Sequence, residues 1–431
     1  MLQNICIYFS DTGGGHRSAV EAIEEGIRQV AERSNGNGNG AGNTNGDIRL
    51  FKECLAENSH PINRRFVELY NYLLRHHQPL MKYYYWSLHV IKPNESKLGY
   101  MLSRKYMLDL FKDCQPSVVV SAHPMINHYL ARTMTELGLK KLVKLITVIT
   151  DPNANLWRAW ACPEADLTIA PNNIVADRLI KWGIHPERIK VVGMPVHPDF
   201  LKPPAIAPET FLSHLGLTPG ILTVCINAGW AGGGNMLKVY RSLCTIGRPV
   251  QVIFLCGHNR ELYERAMHEA AASRIPTAVL PFHDCMADLM CAVDIMVTKA
   301  GGLTTFQALA RRLPMALDVI TEPMPQEKGT VEMLVEQKLA YALNHPDEIV
   351  SIIESFNPAP DRQNKPLPAA HSLNRTDAIF EIADIILDSS RKSAAAGDNA
   401  RAVFLERKTS FAQPRGDGPS LSLGKSALEL D

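Results

Sequence analysis

None of the nine cysteines forms a CxxC pair, so neither a zinc site nor a disulfide scaffold is indicated, and reduced thiols are the plain reading. An excess of one charge is missing too. The 45 Lys and Arg against 44 Asp and Glu leave a formal net charge of +1, which argues against a globally basic nucleic-acid binder. No uninterrupted apolar stretch approaches ~18 residues, so no transmembrane helix is expected and any membrane contact is peripheral. The first residues enter an apolar run with no basic n-region before it, so no secretory signal is expected. What the chain does have is 431 residues with 46% hydrophobic content, ample for two packed cores.

The run Ile5 to Phe9 reads as a strand, and Ser18 to Val30 reads as a helix with apolar residues at Val20, Ile23, Ile27 and Val30. Between them stands Ser10-Asp11-Thr12-Gly13-Gly14-Gly15-His16-Arg17. Glycines let backbone approach a ligand closely, and the first N–H groups of a helix lack partners, so Gly13, Gly14 and Gly15 suit an anion such as phosphate. His16 stands at the mouth of this turn, where an imidazole can exchange a proton. An inert turn histidine is the competing reading.

Strand-like runs then alternate with helical patterns: Ile48 to Cys54, Val118 to Val120, Leu145 to Ile149, Leu167 to Ala170 and Ile189 to Val192. Residues 34–46 are an Asn/Gly-rich low-complexity loop. Pro195, Pro198, Pro203, Pro204 and Pro208 crowd the segment 196–208 and suit a linker. A second series follows from Ile221, and Arg375 to Leu387 reads as a last helix. The pattern predicts an α/β protein: residues 1–195 and 209–388 form two Rossmann-like domains whose parallel sheets face a central cleft, and 389–431 is a disordered tail.

The second domain has two further glycine turns. Asn227 to Gly234 contains Gly229, Gly232 and Gly233 after one strand; Lys299-Ala300-Gly301-Gly302-Leu303-Thr304 follows another and opens a helix carrying Gln307. Backbone N–H groups and the Thr304 hydroxyl face an anion in this reading. Gln326-Glu327 stand in position to grip sugar hydroxyls, with a plain surface loop as the alternative. Phe282 is a candidate cover for a flat base, or an ordinary core aromatic.

These motifs, together with Ala122-His123-Pro124-Met125-Ile126-Asn127-His128, Thr147 to Asp151, Val192 to Val196 and Cys256 to Asn259, resemble glycosyltransferase family 28 in order and spacing. The resemblance is to its branch of monogalactosyldiacylglycerol synthases and bacterial diacylglycerol glycosyltransferases. It implies a GT-B fold and an inverting, metal-independent hexosyltransferase. The donor is a UDP-hexose, held by Gly229, Gly232, Gly233, Phe282, Lys299, Ala300, Gly301, Gly302, Thr304, Gln307, Gln326 and Glu327. The acceptor is diacylglycerol or a related lipid, met by Gly13, Gly14, Gly15, His123, Pro124, His128, Tyr85 and Trp86. His16 is the first candidate for the base and Asp151 the second. No cofactor or metal is implied, and the lack of an Asp-x-Asp pair agrees with that. Two positions depart from the family: Gln307 stands where a ribose-gripping glutamate is usual, and the loop Pro152 to Trp160 lacks the usual His-Pro-x-Trp-like run, although Trp157 and Trp160 suit a lipid.

Residues 61–112 hold nine Lys/Arg against three Asp/Glu and ten of the thirty aromatics, including Tyr83-Tyr84-Tyr85-Trp86. Basic residues attract anionic headgroups, and Tyr and Trp settle at the bilayer interface. A helical hairpin with a solvated basic face is the plain alternative; the resemblance favours a cytoplasmic protein held peripherally on an anionic membrane. The competing functions are a peptidoglycan-type N-acetylglucosaminyltransferase acting on a lipid-linked acceptor, a sugar-nucleotide epimerase, and a non-catalytic nucleotide-sugar-binding protein that docks on membranes. No nucleic-acid partner is expected.

Overall fold

The computed structural model describes residues 2–36, 47–357, 373, 375 and 377–395. The described strands form two six-stranded parallel sheets. The first holds β1 Gln3–Phe9, β2 Ile48–Cys54, β3 Val118–Ser121, β4 Lys144–Val148, β5 Leu167–Ala170 and β6 Ile189–Val191, in the order β2-β1-β3-β4-β5-β6. The second holds β7 Thr223–Asn227, β8 Gln251–Leu255, β9 Thr277–Leu280, β10 Ile295–Thr298, β11 Met315–Asp318 and β12 Ala340–Leu343, in the order β12-β11-β10-β7-β8-β9. The central strands read as near-continuous apolar runs because helices cover both faces; β7 and β8 are buried at every residue.

The strand order reverses between β1 and β3 in the first sheet and between β7 and β10 in the second. Ligands bind at such reversals, beyond the carboxyl ends of the strands. The turns after β1, β7 and β10 are the three glycine motifs, so topology alone brings them to the two crevices.

The last helix, Ala378–Ala395, does not stay with the second sheet. Its residues Ile379, Ile382, Ala383, Ile386 and Leu387 enter one core with Ile5, Ile7, Val118, Val120 and Ile146. It fits closely there. A Cβ on Gly193, at φ +142°, would stand 2.5 Å from the Ala378 Cβ. The expected unit 209–388 therefore loses its final helix to the first sheet, where it shares one face with Val20, Ile23 and Ile27 of helix Gly15–Gly36. The helix also runs past the expected start of a tail at 389, because Ser390 and Ser393 are small enough to be buried. Residues 37–46 of the low-complexity loop and 396–431 of the tail lie outside the described residues. The proline-rich segment is not loose either: Val196 and Phe200 are buried in the core of the second unit.

The stretch 61–112 divides in two. Helix Lys97–Cys114 sends Met107, Leu108 and Phe111 into the first core beside Cys6 and Tyr8. Helices Pro61–His76 and Met81–Ile91 instead lie across both units, where Leu74 and Met81 pack with Ala231 and Met324.

Ile382 is fully buried on the first sheet. Ile382→Ala should lower the unfolding free energy of the first unit by about 3 kcal/mol, read from the denaturant midpoint; a midpoint equal to that of the parent chain would contradict this packing.

Candidate active site

A cleft of about 1090 Å³ lies between the units. Its walls include Gly13, Gly14, Gly15 and Arg17 from the first unit and Gly229, Phe282, Lys299, Gly301, Gly302, Thr304, Gln307 and Glu327 from the second. The first and third glycine motifs thus share one groove.

In the first turn, Gly13 (φ +72°) and Gly14 (φ +79°) adopt left-handed conformations before the helix begins at Gly15. The Asp11 carboxylate holds the Arg17 guanidinium at 2.6 Å. His16 Nδ1 lies 2.8 Å from the Ala122 carbonyl, which can only accept, so Nδ1 carries the proton. Nε2 keeps its lone pair and takes no hydrogen bond among the described residues. The half-buried ring stands edge-on to His123 at 4.2 Å, and desolvation pushes its pKa down to about 4.

Asp151 is half-buried beside this histidine: Thr150 Oγ1 lies 3.3 Å from His16 Nδ1, and Trp160 Nε1 donates to Asp151 Oδ2 at 2.6 Å. Burial raises the Asp151 pKa, opposed by the Trp160 bond. Trp160 is itself fully buried, which removes it from any lipid contact.

The donor side differs from expectation in its middle turn. Gly229 N–H donates to Asn227 Oδ1, Gly232 N–H to Gly229 O and Gly233 N–H to Ala228 O. These three donors are used inside the turn and are not free for a diphosphate. The third motif keeps its donors. Helix Gly302–Ala310 has no side-chain cap, and its first residues line the cleft. Its orphan N–H groups and dipole make it the better anion cradle. Lys299 stands beside it; desolvation lowers its pKa, while Glu327 and Asp318 oppose the shift. Burial raises the Glu327 pKa, which Lys299 pulls back down.

Several expected contacts lie elsewhere. His123 is buried with both ring nitrogens engaged: Met125 N–H donates to Nδ1, so Nε2–H donates to Thr12 Oγ1 at 2.9 Å. Pro124 and Ala300 are buried in the scaffold. His128 faces Glu164 at 3.7 Å, away from the cleft. Together with Cys162 it forms the one His/Cys/carboxylate cluster of metal-ligand spacing among the described residues, its ligand atoms within 4.8 Å of one another. Gln326 turns its amide to the Tyr85 hydroxyl, so neither residue belongs to the cleft wall. Trp86 is 67% exposed on the outer surface.

An aromatic ladder was missed by the sequence reading. His258 stacks on Phe282 at 4.3 Å and stands edge-on to Trp230 at 5.2 Å, all three in the cleft wall. The only signal for it was the position of His258 and Trp230 in turns after β8 and β7.

Two parallel sheets with their switch points on one cleft define the GT-B architecture. The chain belongs to the monogalactosyldiacylglycerol synthase family. Residues 16–196 match the model for monogalactosyldiacylglycerol (MGDG) synthase, and residues 235–340 match the glycosyltransferase family 28 C-terminal domain. A probable monogalactosyldiacylglycerol synthase of Glycine max is 30% identical over 394 residues, spanning 88% of this chain and 70% of the relative. Monogalactosyldiacylglycerol synthase 1 of Arabidopsis thaliana is 29% identical over 392 residues, with 88% and 70% spanned. Among solved structures, Acinetobacter baumannii MurG superposes with a TM-score of 0.53 at 12% identity, over 90% of this chain and 99% of MurG. The S. aureus MnaA–UDP co-structure gives 0.53 at 10% identity, over 89% and 95%. At such identities these structures speak for the fold alone.

The depressed His16 pKa has a signed consequence. The unfolded chain takes up a proton near the ordinary 6.5 and the folded chain only near 4. This histidine therefore removes stability as pH falls through that window and has no effect above it. An NMR titration should place the His16 midpoint near 4; a midpoint at 6.5 would contradict the desolvated ring.

Proposed function

We propose that this protein transfers a hexose from a UDP-sugar to diacylglycerol or a closely related lipid, with inversion at the anomeric carbon. The observation that carries the reading is the shared cleft, whose walls bring Gly13, Gly14, Gly15 and Arg17 together with Lys299, Gln307 and Glu327, His16 standing in the same turn behind that wall. It occurs in a chain whose relatives are named as synthases of a galactosyl diacylglycerol over 88% of its length.

In this reading His16 Nε2 takes the proton of the acceptor hydroxyl. The acceptor oxygen bonds to the anomeric carbon, the bond from that carbon to the diphosphate oxygen breaks, and UDP leaves with the electron pair. His16 is neutral at physiological pH, so its lone pair is available. A diphosphate arriving nearby adds negative charge and raises its basicity when the donor is bound. The uncapped helix Gly302–Ala310 and Lys299 stabilise the charge that gathers on UDP. Glu327 and Gln307 hold sugar hydroxyls, and the ladder of Phe282, His258 and Trp230 offers a flat surface to the base. Asp151 acts through Trp160 and the fold around His16.

A membrane setting is supported by the outer face of residues 61–101. Eleven of the seventeen exposed large hydrophobic side chains among the described residues fall there, among them Phe66, Tyr83, Trp86 and Ile91. No helix of the described residues is long and apolar enough to cross a membrane. The reading is therefore of a protein that works on the bilayer surface.

With diacylglycerol vesicles and UDP-galactose, UDP-glucose or UDP-N-acetylglucosamine in separate reactions, one donor should release UDP and yield a monohexosyl diacylglycerol by mass spectrometry. Binding of UDP without turnover from any donor would defeat the reading. EDTA should leave the rate unchanged if Lys299 and the helix N-terminus carry the diphosphate charge. His16→Ala should lower kcat by about 10²–10⁴-fold and leave UDP affinity intact; an unchanged kcat would remove His16 from the chemistry.

A further inference from the structure

We propose that His128, Cys162 and Glu164 bind one divalent ion of the zinc class outside the cleft, and that this ion fastens the segment after Trp160 to the helix that carries His128. The inference goes beyond the transferase reading and does not depend on it.

The three side chains come from two well-anchored places. His128 stands in the first turn of helix Asn127–Glu136, which follows β3. Its neighbour Asn127 is fully buried; it accepts from the Ser121 hydroxyl at 2.5 Å and donates to the Ala159 carbonyl at 3.4 Å. The second place follows the short 3-10 helix Arg158–Trp160. Cys162 is 1% exposed there and shares a core with Leu130 and Met134 of the His128 helix. Glu164 comes two residues later, with its side chain half exposed. The ligands are far apart along the chain, so no CxxC-like spacing marks the site in the sequence.

The separations have the size that an ion sets. Glu164 Oε2 lies 3.7 Å from His128 Nδ1 and 3.5 Å from Cys162 Sγ, and the three ligand atoms are within 4.8 Å of one another. A tetrahedral zinc ion with bonds of about 2.0–2.3 Å holds its ligand atoms about 3.4–3.6 Å apart. Two edges of the triangle are therefore close to that length, and the third needs about 1 Å of closure at most. The His128–Glu164 contact is too long for a hydrogen bond. Pairing of these two side chains with each other does not account for their convergence.

The chemistry of the donors agrees. Burial lowers the His128 pKa; Glu164 and Glu95 oppose this and Arg132 adds to it. The imidazole is thus neutral at physiological pH and has a lone pair to give. Burial, with Glu164 nearby, pushes the Cys162 thiol up to about 12, so the thiol carries its proton before the ion arrives. On binding, the S–H bond breaks, the sulfur keeps the electron pair and bonds to the ion, and the proton leaves to water. Arg132 does not point its charge into the site: its guanidinium donates to the Glu95 and Ser96 carbonyls. Imidazole with thiolate selects a zinc-like ion over Mg²⁺ and Ca²⁺, which prefer oxygen. Solvent at the exposed Glu164 supplies a water for the fourth position. The ion would then brace the segment that carries Trp160, the hydrogen-bond partner of Asp151.

The test titrates the full chain, free of any affinity tag, reduced with a phosphine and stripped with a chelator, with Co²⁺ as an optical probe. UDP is left out, so the donor site plays no part. One equivalent should bind and give the intense visible bands of tetrahedral cobalt together with a near-ultraviolet thiolate-to-cobalt band. Zn²⁺ should bleach both, and Mg²⁺ neither. Cys162→Ser should lose the thiolate band. Glu164→Gln changes an exposed side chain and leaves the core intact; it should weaken cobalt binding by about ten-fold or more, since even an outer-shell partner is worth that much. Zinc should raise the thermal unfolding midpoint of the parent chain more than that of Glu164→Gln. A thiolate band that persists in Cys162→Ser assigns the ion to another of the nine cysteines and overturns the site. Equal cobalt affinity in the parent and Glu164→Gln, or no tetrahedral spectrum at one equivalent, overturns it as well. Glu164→Gln decides the matter should Cys162→Ser fail to fold. None of these outcomes touches the transferase reading.

Discussion

The two units meet through bare backbone, and the cleft depends on it. A Cβ at Gly302 would stand 2.6 Å from the Thr150 carbonyl oxygen, and one at Gly14 would stand 2.6 Å from Trp230. At Gly329 it would reach Asn153 Oδ1 at 2.3 Å, and at Gly233 the Leu74 carbonyl at 3.1 Å. Each pair spans the two units. Asn153 adds side-chain bonds across the same seam, to the Gln326 carbonyl at 2.7 Å and Thr330 Oγ1 at 2.9 Å. A methyl group at any of the first three positions wedges the halves apart and separates the Gly13–Gly15 side of the groove from the Lys299 side. Some of these glycines are thus spacers between walls.

That dual use explains what the sequence could and could not tell. The alternation of apolar runs and helical patterns, with a glycine turn after β1, β7 and β10, was enough to expect two parallel sheets and a shared cleft. The family resemblance is borne out by the matches over 16–196 and 235–340. Which N–H groups are free was not legible. Gly229, Gly232 and Gly233 close their own turn, while Gly301 and Gly302 open an uncapped helix, and only the backbone path separates the cases.

Direction round a helix was equally hidden. Consecutive helical residues point about 100° apart, so Gln326 and Glu327 cannot both face one sugar; Glu327 takes the cleft and Gln326 turns to Tyr85 of helix Met81–Ile91. For the same reason Tyr83-Tyr84-Tyr85-Trp86 cannot all face a bilayer. Tyr83 and Trp86 turn outward, and Tyr84 and Tyr85 turn inward against the second unit. The last helix was misassigned because apolar spacing says that a face is covered and does not say by which sheet.

That helix has a consequence for how the chain is made. The second unit draws its sheet from one contiguous stretch, Thr223 to Leu343, and can close as soon as that stretch leaves the ribosome. The first unit cannot. Its strands are synthesised earlier, yet the face of β1, β3 and β4, covered in part by Val20, Ile23 and Ile27, is completed only when Ile379 to Leu387 emerge. Although first units usually fold first during synthesis, here the amino-terminal half must wait for the carboxyl-terminal one to complete its core, with part of an oily sheet face open to chaperones in the interval.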